Sequence, residues 1–312
     1  MKRFLALLAA VALIGGALLV RSRFIEGPSV AGPEPAGTET TSRSGRLRVR
    51  CAAELSAVCA EVEKQAGATV SSTSVADTAD ALIAGNATDF DLWVAPAAWV
   101  DVVEVTSPDM LGEPVPLARS ELVVAGKATA TLNALKASPA CGGTLTWTCM
   151  TSLAGQDWSS LPSSGLNGRI RIAPSSRKVE GFGLASLGLA AADLDELRAA
   201  ATRQRGELEV LGPTEDPFTA LVNRGAVNVT GVVGLRARDT SAVVVPTVPV
   251  AYADVYVVAV GSRKIDNKVV DVAKERLLRD GWTARSSSDP ASGLPDARRL
   301  AEARNLWEEV LT

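Results

Sequence analysis

The chain has 312 residues, a net charge of −3 and 47% apolar residues, enough to bury one large core or two smaller ones. Its lysines and arginines are dispersed rather than clustered, which excludes the electrostatic footprint of a nucleic-acid partner. Histidine is absent, which removes Ser-His-Asp and Cys-His nucleophile systems, His-containing zinc sites and the usual near-neutral general base.

Met1-Lys2-Arg3 precedes an apolar run from Phe4 to Val20, and Arg21 and Arg23 follow it. At about 1.5 Å per residue such a helix spans roughly 25 Å, and flanking arginines can snorkel to cover the remainder of the hydrocarbon layer. Residues 1–23 therefore read as a signal anchor, with the N-terminus inside, or as a cleaved signal peptide. No cysteine follows closely enough for a lipoprotein anchor. Residues 24–45 are rich in Gly, Pro, Ser and Thr and form a flexible linker. The expected location is the cell membrane, single-pass, or secreted, with the body on the extracytoplasmic side.

The body alternates strand and helix. Leu47 to Arg50 reads as a strand, Leu55 to Gln65 as a helix ending at Gly67, and Ala68 to Ser72 as a second strand. Thr78 to Ile83 suits a short helix stopped by Gly85, and Phe90 to Val94 a third strand ahead of Pro96. Val115 to Ala125 is a long extended stretch. A second set follows: Trp158 to Leu161, a strand at Arg169 to Ala173, helices at Leu184–Ala192, Asp193–Arg205 and Asp216–Val222, and a strand at Val227–Val233. Val243 to Val250 crosses back to an apolar strand at Ala251–Val260, and amphipathic helices at Lys268–Trp282 and Pro295–Leu311 close the chain. This alternation predicts an α/β fold with a mostly parallel sheet.

Four cysteines fall as Cys51 with Cys59 and Cys141 with Cys149, each pair eight apart. In an exported chain this spacing suggests two local disulfides. The rival reading is a metal site of four thiolates, although neither pair has the close spacing of such sites. The six tryptophans read mostly as core or surface anchors, with one available to line a cleft. Gly181, Gly183 and Gly188 have the spacing G-x-G-x4-G rather than that of a dinucleotide loop, which makes them packing or hinge glycines.

The segment order is similar to the class II extracytoplasmic, periplasmic-type solute-binding proteins, nearest the molybdate-type branch. Four places carry the resemblance. They are Leu47 to Leu55; the helix-Gly-turn-Asp-strand segment from Ala81 to Ala95; Ser159 to Leu161 followed by Gly168 to Pro174 and Gly181 to Gly183; and the helix-Gly-strand step from Ala220 to Val232. The resemblance covers roughly residues 46–285 and implies a two-lobed fold behind an N-terminal transmembrane helix. Lobe 1 would comprise 46–120 and 246–312 and lobe 2 residues 121–245, joined by crossings near Leu117–Ala125 and Val244–Val250. The lobes would close on a ligand held at helix N-termini.

In that arrangement the ligand-binding candidates are Glu54, Asp77 and Thr78 from lobe 1 and Ser175, Ser176, Val179 and Asp216 from lobe 2. The molybdate branch carries a serine where this chain has Glu54, and its second serine maps near Ala76 and Asp77. Two carboxylates repel an oxyanion unless protonated or paired, so a cationic or neutral solute is favoured over molybdate or sulfate. The resemblance implies a non-enzymatic protein with no cofactor or metal, whose partners are a small solute and an ABC transporter permease. The alternative is a degenerate binding fold used as a membrane-tethered sensor or envelope scaffold that binds a protein.

Overall fold

The computed structural model describes residues 46–86, 89–162, 165–172, 181–208, 217–223, 228–238 and 240–311. The predicted anchor and linker lie outside the described residues, as do Ser175, Ser176, Val179 and Asp216. Gly45–Thr312 makes one compact unit.

The body opens with β1 (Arg48–Ala52), α1 (Ser56–Ala66), β2 (Thr69–Thr73), α2 (Val75–Ile83), β3 (Leu92–Pro96) and α3 (Ala97–Thr106). Helix α1 stops because Gly67 adopts φ 73°, a left-handed cap that costs glycine little. Helix α2 starts where the Ser74 side chain accepts a hydrogen bond from the Asp77 amide at 3.3 Å, which satisfies one free donor of the first turn. Every residue of β3 is buried, as expected for a central strand covered on both faces.

Further along come β4 (Val115–Gly126), α4 (Thr129–Lys136), α5 (Trp147–Leu153), α6 (Gly183–Ala190), α7 (Leu194–Leu208), α8 (Pro217–Asn223) and β5 (Val229–Val233). The chain finishes with α9 (Gly234–Ala237), β6 (Val243–Ala259), α10 (Asn267–Arg279), β7 (Thr283–Ala284) and α11 (Ala297–Leu311).

The strands form one hydrogen-bonded sheet in the order β2-β1-β3-β6-β4-β5, with β7 added to β4. Only β1, β2 and β3 are mutually parallel; β6 runs antiparallel to β3 and β4, and β4 antiparallel to β5 and β7. The expectation of a mostly parallel sheet is thus corrected to a mixed one. The reason is that β6 returns between β3 and β4 and runs antiparallel to both, which interrupts the parallel run.

These two strands carry the main architectural feature. Leu122 pairs with Ala251, but the next residue, Val123, pairs with Pro246. Thr247 to Val250 therefore bulge out of the ladder, with the Val248–Pro249 bond cis. Thr247 Oγ1 donates to the Pro249 carbonyl at 2.9 Å and the Val248 amide to the Leu145 carbonyl at 3.4 Å. On one side of the break Leu117, Leu122, Ala251 and Val255 belong to the largest apolar cluster. On the other, Val124 joins Leu132, Leu145, Trp147 and Ile170, while Val123 and Ala125 join Phe218 and Val232. Both strands change cores at the same point.

The large cluster does not end at β4 and β6. Through Leu300, Ala303, Leu306 and Trp307 of α11 it continues to Leu184 and Leu187 of α6 and Leu197 of α7.

The predicted strand at Arg169–Ala173 is reduced among the described residues to isolated bridges, Asp157 with Arg169 and Ile172 with Val229. Side-chain amides take over the ladder there. Asn228 Oδ1 accepts from the Arg171 amide and Gln204 Oε1 from the Ile172 amide, each at 2.8 Å.

Both disulfides form in the sequential pairing, Cys51–Cys59 with Cα atoms 6.2 Å apart and Cys141–Cys149 with Cα atoms 5.0 Å apart. All four thiols are consumed, which closes the four-thiolate alternative. The first bridge ties the end of β1 to α1, and the second ties the α4–α5 connection to the first turn of α5.

Candidate functional site

The order β2-β1-β3 means that the chain steps from β1 to one side and then crosses to the other. The carboxyl ends of β1 and β3 therefore flank a topological switch point, where open α/β sheets form a crevice. Register places Ala52 beside Thr73 and Cys51 beside Val94, so the starts of α1, α2 and α3 share this end of the sheet.

Glu54 lies here, exposed, on a single 3₁₀ turn between β1 and α1. Its carboxylate meets Gly181, where an added Cβ would fall 2.0 Å from Glu54 Oε1. Gly181 also has φ 50°, so both the close approach and the backbone conformation require glycine. Its carbonyl accepts a hydrogen bond from the buried Trp99 Nε1 at 2.9 Å. Glu54, Trp99 and Gly181 thus converge at the switch point.

Asp77 is exposed in the first turn of α2, one strand removed from Glu54. Thr78 beside it is only 1% exposed. Its hydroxyl donates to the Ser74 carbonyl at 3.0 Å and pairs with Thr73 Oγ1 at 2.9 Å. The structure therefore gives Thr78 the work of fastening α2 to the end of β2.

Arg304 of α11, which sequence reasoning did not single out, packs at this end of the molecule. It is 8% exposed, stacks over the Trp99 ring at 5.0 Å, and reaches Asp80 of α2 at 2.7 Å and Glu308 at 3.2 Å. Burial opposes its charge, but the hydrogen bond to Asp80 and the charges of Glu308 and Asp80 outweigh it and hold the guanidinium firmly protonated. The one available signal was an arginine inside an apolar stripe, Leu300, Ala303, Arg304 and Trp307, at helical spacing.

A second charged cluster sits beside the register break. Asp254 of β6 accepts two hydrogen bonds from Arg119 of β4, each 3.0 Å, and a third from Arg285 at 3.0 Å. All three are nearly inaccessible. Arg119 also lies over the Tyr252 ring at 4.5 Å. Asp101 of α3 is half-buried nearby, and its carboxyl is pushed up to about 7, by burial first and then by Glu104 and Asp254. Among the described residues no group of three or more acidic or cysteine side chains is arranged to hold a metal ion.

No protein-family model matches the sequence, and no curated protein does. Solved structures do match. Iron-bound HitA from Pseudomonas aeruginosa aligns at a TM-score of 0.52 and 12% identity, covering 85% of this chain and 99% of that one. The periplasmic binding protein P5PA aligns at 0.51 and 11%, covering 86% and 97%. The periplasmic binding protein AfuA from Actinobacillus pleuropneumoniae, with fructose-6-phosphate bound, aligns at 0.50 and 11%, also covering 86% and 97%. The fold is that of the periplasmic binding proteins. At such low identity the likeness speaks for the fold alone. Among the described residues no helix is long and apolar enough to cross a membrane; the run from Phe4 to Val20 lies outside them.

Proposed function

We propose that this chain is an extracytoplasmic solute-binding protein that captures a small ligand for an ABC-type import system, without catalysing a reaction on it. The observation that carries the reading is the strand pair β4 and β6, which passes between cores at the register break after Leu122 within a periplasmic-binding-protein fold. In this reading 46–120 with 246–312 and 121–245 are the two lobes, and the break at Thr247–Val250 is where they flex.

The ligand would sit at the carboxyl ends of β1, β2 and β3. Glu54 and Asp77 would contribute negative charge from lobe 1, with Thr78 behind them. Ser175, Ser176, Val179 and Asp216 would contribute from lobe 2. Backbone amides in the first turns of α1, α2 and α3 would supply donors for oxygen atoms, whereas the two carboxylates would accept from ammonium, hydroxyl or metal-bound water. That mixture suits a cationic or neutral solute better than the oxyanions of the molybdate branch. Two disulfides fit an oxidising, extracytoplasmic compartment, with residues 1–23 as the membrane anchor and a permease as the partner.

The test is thermal unfolding of residues 45–312 against metals, oxyanions, amino acids, polyamines and sugars. A true ligand at a hundredfold its Kd adds about 2.7 kcal/mol, which raises the melting temperature by roughly 5–10 °C. Glu54→Gln should cancel most of that rise. The Trp99–Gly181 hydrogen bond and the core continuous through α11 favour a second reading, a sensor or envelope scaffold that binds a protein. Silence across the whole panel would select it.

A further inference from the structure

We infer that the cavity where α5, α6, α7 and α11 meet is a binding site for one buried water molecule, shared by the indole N–H groups of Trp147 and Trp307. The site stands apart from the cleft proposed above and does not depend on it.

The cavity lies on the seam between two apolar clusters. Trp147, Met150 and Ala200 reach it from one, and Leu187, Leu197 and Trp307 from the other. Side chains packed within separate clusters interlock poorly where the clusters meet. The gap here is about 20 Å³, which suits a single water molecule. Apart from Ala190 every lining residue is buried, and none is charged.

Two donors in this wall lack an acceptor. Trp147 Nε1 and Trp307 Nε1 are inaccessible, and neither has a hydrogen-bond partner among the described residues. Buried indole N–H groups ordinarily find a partner, and one left without it bears its full desolvation penalty. Trp147 has little room to turn and seek one, because its ring rests on Gly231, where an added Cβ would fall 2.2 Å from Cη2. Thr151 supplies the complementary group. Its hydroxyl commits its one proton to the Trp147 carbonyl at 3.0 Å, with the Ala190 carbonyl farther off at 3.5 Å, so any further bond it makes is as an acceptor. Gln204, also in the wall, has its Oε1 taken by the Ile172 amide at 2.8 Å.

The wall therefore offers two donors and an acceptor. Water accepts twice and donates, which matches both the bonding and the size. A halide accepts from the indoles but cannot donate to Thr151, and it would stand as unpaired charge in an uncharged wall. An ammonium ion cannot accept, and an apolar atom leaves both indoles unsatisfied. In the two-lobe reading α5 and α11 fall in different halves, so the water takes one bond from each.

The experiment uses the full-length chain, deuterated and isotope-labelled, in detergent, with the indole resonances assigned through the backbone. Rotating-frame cross-peaks between water and the indole protons are recorded. A peak of dipolar sign marks a water held beside the ring, and one of exchange sign marks proton exchange with bulk solvent. Trp147 and Trp307 should both show the dipolar sign, and its absence at either overturns the inference. Trp307→Phe should weaken the Trp147 peak about twofold or more, because the shared water loses one bond; an unchanged peak overturns the sharing. If that variant does not fold, Thr151→Val, which keeps the shape and removes the acceptor, takes its place with the same expectation. Replacing chloride by bromide should leave both indole resonances where they are. A shift of both would assign the cavity to an anion and overturn the water site.

Discussion

Replacing Asp101 by Asn should stabilise the protein, and only above acidic pH. The carboxyl is half-buried on α3 beside Glu104 and within the field of Asp254, and its pKa is raised from 3.8 to about 7. An acid held at a higher pKa in the folded state than in the unfolded chain binds extra protons when folded. It therefore costs no stability below the unfolded value, and the cost grows as pH rises until it levels off above the folded value. The gap of about three pH units corresponds to about 4 kcal/mol at most, reduced to the extent that water reaches the half-buried group. Asparagine imitates the protonated acid at every pH. Urea unfolding followed by tryptophan fluorescence should give equal stabilities for wild type and Asp101→Asn near about pH 3.5. Near about pH 8 the variant should lead by roughly 2–4 kcal/mol. A pH-independent difference, or a variant weaker at pH 8, would show that the carboxylate has a compensating partner and refute the reasoning.

Removing Asp254 acts in the opposite sense. Asp254→Ala leaves Arg119 buried without its counter-ion and Arg285 with Asp289 alone at 3.7 Å, and should cost about 3–5 kcal/mol in the same urea assay. A loss under about 1 kcal/mol would mean that Asp289, already beside Arg285, compensates both arginines. Opening the Cys141–Cys149 loop by a double Cys→Ala change should lower stability by about 2.5 kcal/mol, from loop entropy for a separation of eight residues. Calorimetry under non-reducing conditions reads the difference. Gly181→Ala should cost about 1–3 kcal/mol, because its Cβ meets the Glu54 carboxylate and its φ is positive. Glu54→Gln should leave that stability unaffected while changing the response to solutes, which separates the two roles of the contact.

The elements most legible in the sequence were those whose pattern agreed with their burial. Helix α1 showed Leu55, Val58, Cys59 and Val62 at helical spacing, and all four are buried. The ends of α1, α2 and β3 were marked by Gly67, Gly85 and Pro96, each acting through its own backbone preference. Helix α3 was not legible. Its residues Ala97 to Thr106 include four valines, which suit a strand, and they become helical because Trp99, Val100, Val102 and Val103 all pack into the large core. The predicted strand at Arg169–Ala173 had the right alternation but finds side-chain amides where a neighbouring strand was expected.

The placement of Glu54 and Asp77 at the strand ends was legible because a βα turn puts the first helical residues there whatever the tertiary fold. Arg304 and Asp80 were not, because their contact joins positions more than two hundred apart in the chain, and a single sequence carries no record of such a pairing. Thr78 was legible as a polar residue near the site but not as a buried one. Only the structure shows its hydroxyl turned onto Ser74 and Thr73.

The place of β3 in the sheet has a consequence for how the chain comes to be made. Its inner edge is covered by β1, which precedes it by about forty residues, but its other edge waits for Val255–Ala259, about 160 residues later. Until those residues leave the ribosome, a strand buried at every position in the folded protein offers an open row of amides and carbonyls to any neighbouring chain. A chain interrupted ahead of Val255 would lack the covering strand altogether and should accumulate as aggregates. A cell making this protein has to keep β3 from other chains until more than four-fifths of the sequence has been made.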